Sequence, residues 1–191
     1  MRKKIPLLLA FSLVIVVSAV FLFPSFLFAA PVQWSGNGHY YELINGSGNE
    51  VPWENANTAA QGMSYNGSQG YLATITSAEE NSFIANSLGL NFWSSYWIGG
   101  YQDWEPIKPD NSQAVGWKWV TGETWSYTNW RSGEPNDYGD AEDGEEDFLE
   151  FNTNGGNSNW CDMWSANRYY IVEYGGDFLI KVQQWFLNQC G

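Results

Sequence analysis

The chain is poor in cysteine, in positive charge and in histidine, and each shortage excludes something. Only Cys161 and Cys190 occur in 191 residues. Two cysteines do not make a disulfide framework, and their partners cannot be read from sequence. No zinc-ligand spacing is present. Lys and Arg number 8 against 21 Asp and Glu. Arg2, Lys3 and Lys4 sit at the extreme N-terminus, so beyond residue 30 only Lys108, Lys118, Arg131, Arg168 and Lys181 face all 21 acids, a net −16. Such a surface repels phosphates, which excludes nucleic acid and anionic membrane surfaces as partners. The single histidine, His39, stands beside two tyrosines with no nucleophile paired to it in sequence. There is no nucleophile elbow, phosphate loop or HExxH helix, so an enzymatic role has no positive feature.

What the chain has in quantity is aromatic side chains and glycine: 12 Trp, 11 Tyr, 11 Phe and 20 Gly. That mix fits one aromatic-rich, loop-rich domain rather than a helical bundle. Residues 1–30 are set apart. A basic start and an apolar run from Ile5 to Phe23 read as a secretory signal. The run is also about the ~20 residues needed to span a bilayer, so an uncleaved anchor over 5–23 is the alternative. Either way the remainder is expected to be exported, as a secreted, extracellular or periplasmic domain.

Within the domain, His39 to Ile44 reads as a first strand. Trp53, Ala56, Ala59, Ala60 and Met63 recur at helical spacing and predict a helix over 53–63. Tyr71 to Ile75 is a β-type run. Ser77 with Glu80 three residues on forms a capping box for a second helix, whose stripe is Phe83, Ile84 and Leu88. Strands follow at Tyr96–Gly100, Gly116–Val120, Phe148–Phe151, Asn159–Met163 and Arg168–Tyr174. Residues 101–115 and the stretch before Phe148 read as long loops. The sum is an α+β domain with a loop-dominated second half, and loops of that length are usually functional. Trp97, Trp117, Trp119 and Trp130 read as core; Glu150 and Glu173 read as surface or strand-edge acids. Past Tyr174, Phe178, Leu179, Val182, Trp185 and Phe186 fall at helical spacing in a tail of unknown role, 176–191.

One stretch concentrates the acids. Nine of the seventeen residues from Glu134 to Glu150 are Asp or Glu. Such a run is either solvated or compensated by a cation. A hard cation such as calcium takes carboxylate and amide oxygens. Glu134, Asn136 and Glu146 offer those, and Asp162 could close the set from a neighbouring strand.

Taken in order, these pieces resemble the C-type lectin-like domain over residues 36–175. The matching features are the Trp53–Met63 helix, Gly70–Ile75, Ser77–Asn81, Trp97-Ile98-Gly99-Gly100, Trp117-Lys118-Trp119, Asn129-Trp130, Glu134-Pro135-Asn136 and the last strand. The resemblance implies a calcium-dependent carbohydrate-binding module that acts on glycans or glycoproteins and gains useful strength from several copies. In the family the EPN order goes with mannose, N-acetylglucosamine and fucose-type ligands. Carried over by position, the resemblance makes Glu134, Asn136, Glu146 and Asp162 ligands of both calcium and sugar, with Pro135 a cis proline and Asp162 the ligand from the later strand. The third carboxylate is Glu146 by strand alignment, or Glu142-Asp143 by counting forward from Asn136.

The chain also departs from the pattern. Trp160-Cys161-Asp162 stands where the family has Trp-Asn-Asp, which replaces an oxygen ligand by a thiol that calcium disfavours. The usual disulfide cysteines are absent, with Ala59 or Ala60, Phe148 and Val172 in their places. The resemblance therefore implies a core held by packing. A calcium-independent protein-binding module on the same fold is the alternative.

Overall fold

The computed structural model describes residues 30–102, 116–138, 146–153 and 158–175. The apolar run over 5–23, most of the 101–115 loop, Glu142-Asp143, Cys190 and the 176–191 tail lie outside them.

Two helices and nine strands form among the described residues. In chain order they are β1 (Val32–Gln33), β2 (Tyr40–Ile44), α1 (Trp53–Gln61), β3 (Ser64–Tyr65), β4 (Ser68–Leu72), α2 (Ala78–Ser87), β5 (Ser95–Gln102), β6 (Trp117–Trp119), β7 (Phe148–Asn152), β8 (Asn159–Met163) and β9 (Tyr169–Tyr174). The sheet runs β1-β2-β9-β5-β7-β8, with β4 also on β9 and β6 on β5. The last strand lies antiparallel beside the first long one, Tyr40 opposite Tyr174 and Ile44 opposite Tyr170, so the two ends of the domain are hydrogen-bonded together. β5 meets β9 in parallel and β7 antiparallel, and the β7–β8 hairpin carries the sheet outward to the acidic stretch.

The helices take the residues their sequences favour. α1 buries Trp53, Ala56 and Ala60, a stripe at helical spacing, and stops at Gly62, whose N–H closes back on Thr58 and Ala59. It is two residues shorter than the spacing predicts, and Ala59 faces solvent. α2 opens as the sequence indicates, with the Glu80 N–H donating to Ser77 Oγ at 3.2 Å, a cap typically worth about 1 kcal/mol. The reciprocal half of the box is diverted. The Glu80 carboxylate accepts instead from the Thr76 N–H and from the Tyr41 hydroxyl, so it is 2% exposed inside the fold.

Two apolar clusters hold the layers together. One joins α1 to Leu72, Trp97, Tyr170 and Val172; the other joins Ile84 of α2 to Tyr41, Ile75, Ile98, Leu149, Phe151 and Ile171. The positions the family uses for cysteine are filled by packing. Ala60 and Val172 are fully buried in the first cluster, and Phe148 stacks on Trp53 at 4.7 Å. Trp97, Trp117 and Trp119 are core, as their pattern indicates, and Trp130 is partly buried against Trp117 and Trp160. Gly99 and Gly100 allow close approach at the centre of β5. A Cβ on Gly99 would stand 2.5 Å from the Leu72 carbonyl, and one on Gly100 would stand 2.5 Å from Leu149.

Two acids overturn their sequence reading. Glu150 and Glu173, expected at the surface or a strand edge, are each 2% exposed. Burial of a carboxylate needs donors. Glu173 has them in His39 Nδ1 at 2.6 Å, the Thr74 N–H at 2.9 Å and the Tyr41 hydroxyl at 3.1 Å. Its hydrogen bond holds the His39 pKa above the usual histidine value. Glu150 accepts from Ser95 Oγ and Asn152 Nδ2, and pairs with Arg168 Nε at 3.3 Å. Period-2 alternation could not reveal this, because both strands are covered on both faces.

Candidate functional site

The loop that carries Glu134 and Asn136 is pinned to β8 before it turns. Trp130 bridges Trp160, with the Arg131 N–H on the Trp160 carbonyl and the Trp160 N–H on the Asn129 carbonyl. A turn closed by the Glu134 N–H on the Arg131 carbonyl follows, and Gly133 takes its positive φ of 95°. The Glu134–Pro135 bond is cis, as the family pattern implies.

Two acids from elsewhere then grip the backbone of this loop. Asp162 on β8 accepts from the Asn136 N–H at 2.9 Å and from the Asp137 N–H at 2.7 Å. Glu146, just before β7, accepts from the Tyr138 N–H at 2.7 Å. Glu134, Asn136, Glu146 and Asp162 thereby come to line one cleft of about 290 Å³. Glu146 is placed here from the strand side. Glu142-Asp143, the alternative third carboxylate, lies outside the described residues.

The electrostatics of the cleft are those of oxygens in excess. Burial, then the nearby Asp162 and Glu146 carboxylates, push Glu134 up to about 7. Burial first, and then the charges of Asp162 and Asp137, push Glu146 up to about 7 against the donated Tyr138 N–H. Asn136 turns its NH₂ onto Glu134 at 2.5 Å, which leaves its Oδ1 buried without a donor. A buried carbonyl oxygen without a donor costs about 1–3 kcal/mol, and a cation or a donor removes that cost. Among the described residues no three His, Cys, Asp or Glu side chains are clustered tightly enough to form a ready metal cage. The set is three carboxylates and one amide, partly turned onto one another. By donor chemistry these all-oxygen groups suit a hard cation with oxygen ligands.

Cys161 is buried and free, directly opposite Glu150 on β7. Burial and then the Glu150 charge push its thiol up to about 12. It is a protonated, unreactive sulfur in the cleft wall, unsuited to a calcium ion. Sequence reasoning missed six other cleft residues: Arg131, Tyr138, Glu150, Asn152, Met163 and Trp164. Tyr138 is 77% exposed and Trp164 48%. Their nearness to Glu134 and Asp162 in sequence was the available signal.

Comparison with known proteins identifies the domain. The family model described as the lectin C-type domain matches residues 45–172. The chain belongs to the C-type lectin domain family. Its fold is shared with the C-type lectin CEL-I from Cucumaria echinata at a TM-score of 0.58 and 24% identity, over 77% of this chain and 98% of that one. Among curated relatives, halomucin from Haloquadratum walsbyi is 32% identical over 145 residues, 73% of this chain and 1% of halomucin. C-type lectin domain family 4 member M from Gorilla gorilla gorilla is 32% identical over 147 residues, 75% of this chain and 32% of that protein. The chain thus spans at most about a third of these curated relatives. C-type lectins commonly bind calcium, and their domains are generally non-enzymatic carbohydrate binders.

Proposed function

We propose that this C-type lectin domain is a calcium-dependent binder of mannose-type glycans, exported from the cell. The observation that carries the reading is the buried Asn136 Oδ1 without a donor, in the wall of a cleft where the Glu134 and Glu146 carboxylates are pushed up to about 7. One unsatisfied oxygen and three carboxylates are thus gathered in one place. Glu134, Asn136, Glu146 and Asp162 are the residues that would hold calcium. The ion would supply a centre on which two vicinal sugar hydroxyls can join the protein oxygens. The chain's own groups do the rest. The Glu134 carboxylate can accept a hydrogen bond from one hydroxyl and the Asn136 NH₂ can donate to the other, which favours a pair of hydroxyls at matching spacing. The EPN order supports the mannose, N-acetylglucosamine and fucose class. One such shallow site suits millimolar binding of a single sugar, about 4 kcal/mol, so useful strength comes from several copies.

Export follows from the basic start and apolar run of residues 1–30, with cleavage or retention as an anchor as the two outcomes. A second reading, a calcium-independent protein-binding module, has its support in Cys161 and in Asp162, whose oxygens already accept two backbone N–H groups. Retention of the protein on immobilised mannose, with and without a chelator, separates the two. Retention that the chelator abolishes is the expected result; passage through the column with calcium present refutes the lectin reading.

A further inference from the structure

The acidic cleft does not account for every exposed ring. Tyr138 and Trp164 line it, but Phe92, 53% exposed, and Trp93, 69% exposed, stand on the turn between α2 and β5 and do not. These two rings meet edge to face with centroids 4.9 Å apart, and neither belongs to an apolar cluster. The turn beneath them is held firmly. The Asn91 N–H donates to the Tyr96 hydroxyl at 2.7 Å, the Trp93 N–H to Asn91 Oδ1 at 3.2 Å, and Thr153 Oγ1 to the Ser94 carbonyl at 2.7 Å. The rings are therefore presented on a rigid base, which leaves a partner little to order.

Beside them lies a hollow of about 410 Å³, walled by Ala85 and Asn86 of α2, by Leu90 and Phe92, and by Thr153 and Ser158 at the turn end of the β7–β8 hairpin. Phe92 is part of that wall, so Trp93, in contact with it, stands at the rim. No residue lining the hollow is charged, and no charged residue occurs between Glu80 and Asp103 or between Glu150 and Asp162. Beyond residue 30 the chain carries a net −16, so two copies repel one another unless they meet where acids are absent. A basic partner would be drawn to the acidic cleft instead. A projection next to a hollow is also self-complementary under a two-fold rotation, which is what pairing of identical surfaces requires.

We propose that the Phe92–Trp93 turn and the hollow beside it form a self-association face, at which two copies of the chain pair about a two-fold axis, each setting its aromatic pair into the other's hollow. The face is small, in the class below about 1,200 Å² that gives weak, reversible complexes. Glu146 and Asp162 lie toward the opposite end of the hairpin, so the dimer presents two open clefts. The pairing itself needs neither calcium nor sugar and stands apart from the lectin reading.

The test is sedimentation velocity of the full chain in a chelator, up to about 300 µM and at about 0.05 and 0.5 M NaCl, because salt screens the repulsion between two acidic copies. The wild type shows a monomer–dimer equilibrium that tightens at the higher salt. Trp93→Glu weakens it about tenfold or more, while its melting temperature stays within about 2 °C of wild type because the ring is exposed. Mixing Trp93→Glu with Asn86→Lys restores pairing, since the mixed dimer sets a carboxylate against an ammonium group across the axis. A wild type that stays monomeric at the higher salt overturns the proposal. So does a dimer that Trp93→Glu leaves unchanged, which places association in another segment such as 5–23 or 176–191. A mixture that pairs no better than Trp93→Glu alone overturns it as well.

Discussion

Glu173→Ala is the substitution whose effect follows most directly from the fold. Glu173 is 2% exposed on β9 and is the acceptor for His39 Nδ1, the Thr74 N–H and the Tyr41 hydroxyl. Removing one partner of a buried pair costs about 3–5 kcal/mol, because the other partner is left without compensation. Two features lower the figure here. His39 is 21% exposed, and Glu80, raised by burial and then by the Glu173 charge, is relieved when that charge goes. A net loss of about 2–3 kcal/mol is expected. For a domain of this size that lowers the melting temperature by about 6–12 °C. The pH dependence gives the sharper test. His39 is held above its usual 6.5 by the Glu173 hydrogen bond. Its contribution is therefore complete below the unfolded value and is lost as pH rises through the folded one. Glu80 is also raised in the folded state, so the wild type loses stability from it, too, as pH rises. The gap between wild type and Glu173→Ala is therefore wider at pH 5.5 than at pH 9. Urea unfolding in the presence of a chelator, at both pH values, measures it. A gap that is equal at the two pH values, or a variant within about 2 °C of wild type at pH 5.5, refutes the reasoning.

The other expectations concern the loop site and the centre of the sheet. Cys161→Asn puts an oxygen where a protonated thiol now stands, so calcium binding tightens about tenfold by calorimetry; an unchanged Kd means that another oxygen already fills that role. Glu134→Gln with Asn136→Asp exchanges the acceptor and donor presented to the sugar, and preference on immobilised sugars moves from mannose toward galactose; unchanged preference removes these two residues from recognition. Gly99→Ala drives a Cβ to within 2.5 Å of the Leu72 carbonyl, an overpacking that costs about 1–3 kcal/mol in a melting experiment, whereas tolerance would mean that β4 and β5 separate easily.

Most of the element order was legible because it rests on strong local signals. Asn159–Met163 is found where its pattern indicates, α2 begins at its Ser77 cap, and β5 forms around Trp97-Ile98-Gly99-Gly100. The misplacements have physical reasons. Ala73 and Ile75 are fully buried but follow the end of β4 at Leu72, since apolar content reports burial and not ladder pairing. β1 and β3, two residues each, are too short for any periodic signal and exist because a neighbouring strand offers an edge. At the site, the motif named Glu134, Asn136 and Asp162, and strand alignment named Glu146; the structure places all four around one cleft. What the motif could not show is that Asp162 and Glu146 hold the loop by its backbone N–H groups, because sequence records side chains and not the amides they meet.

Charge was the feature most easily misread. A net −16 beyond residue 30 suggests acids facing water, yet Glu80, Glu146, Glu150, Asp162 and Glu173 are all buried. What separates them is their supply of donors. Glu173 has a histidine, a hydroxyl and an amide, and Glu150 has a hydroxyl, an amide and an arginine; these acids stitch strands together. Glu146 has the Tyr138 amide and is still raised to about 7, as is its neighbour Glu134. Glu80 in the core is raised by burial as well, although it has the Tyr41 hydroxyl and the Thr76 amide, and Asp162 at the loop has the Asn136 and Asp137 amides; what the loop adds is the buried Asn136 Oδ1 that no donor meets. A cation is what would balance an unmet acceptor of that kind, and this, more than the number of acids, is the ground for the calcium site proposed above at the Glu134–Asn136 cleft.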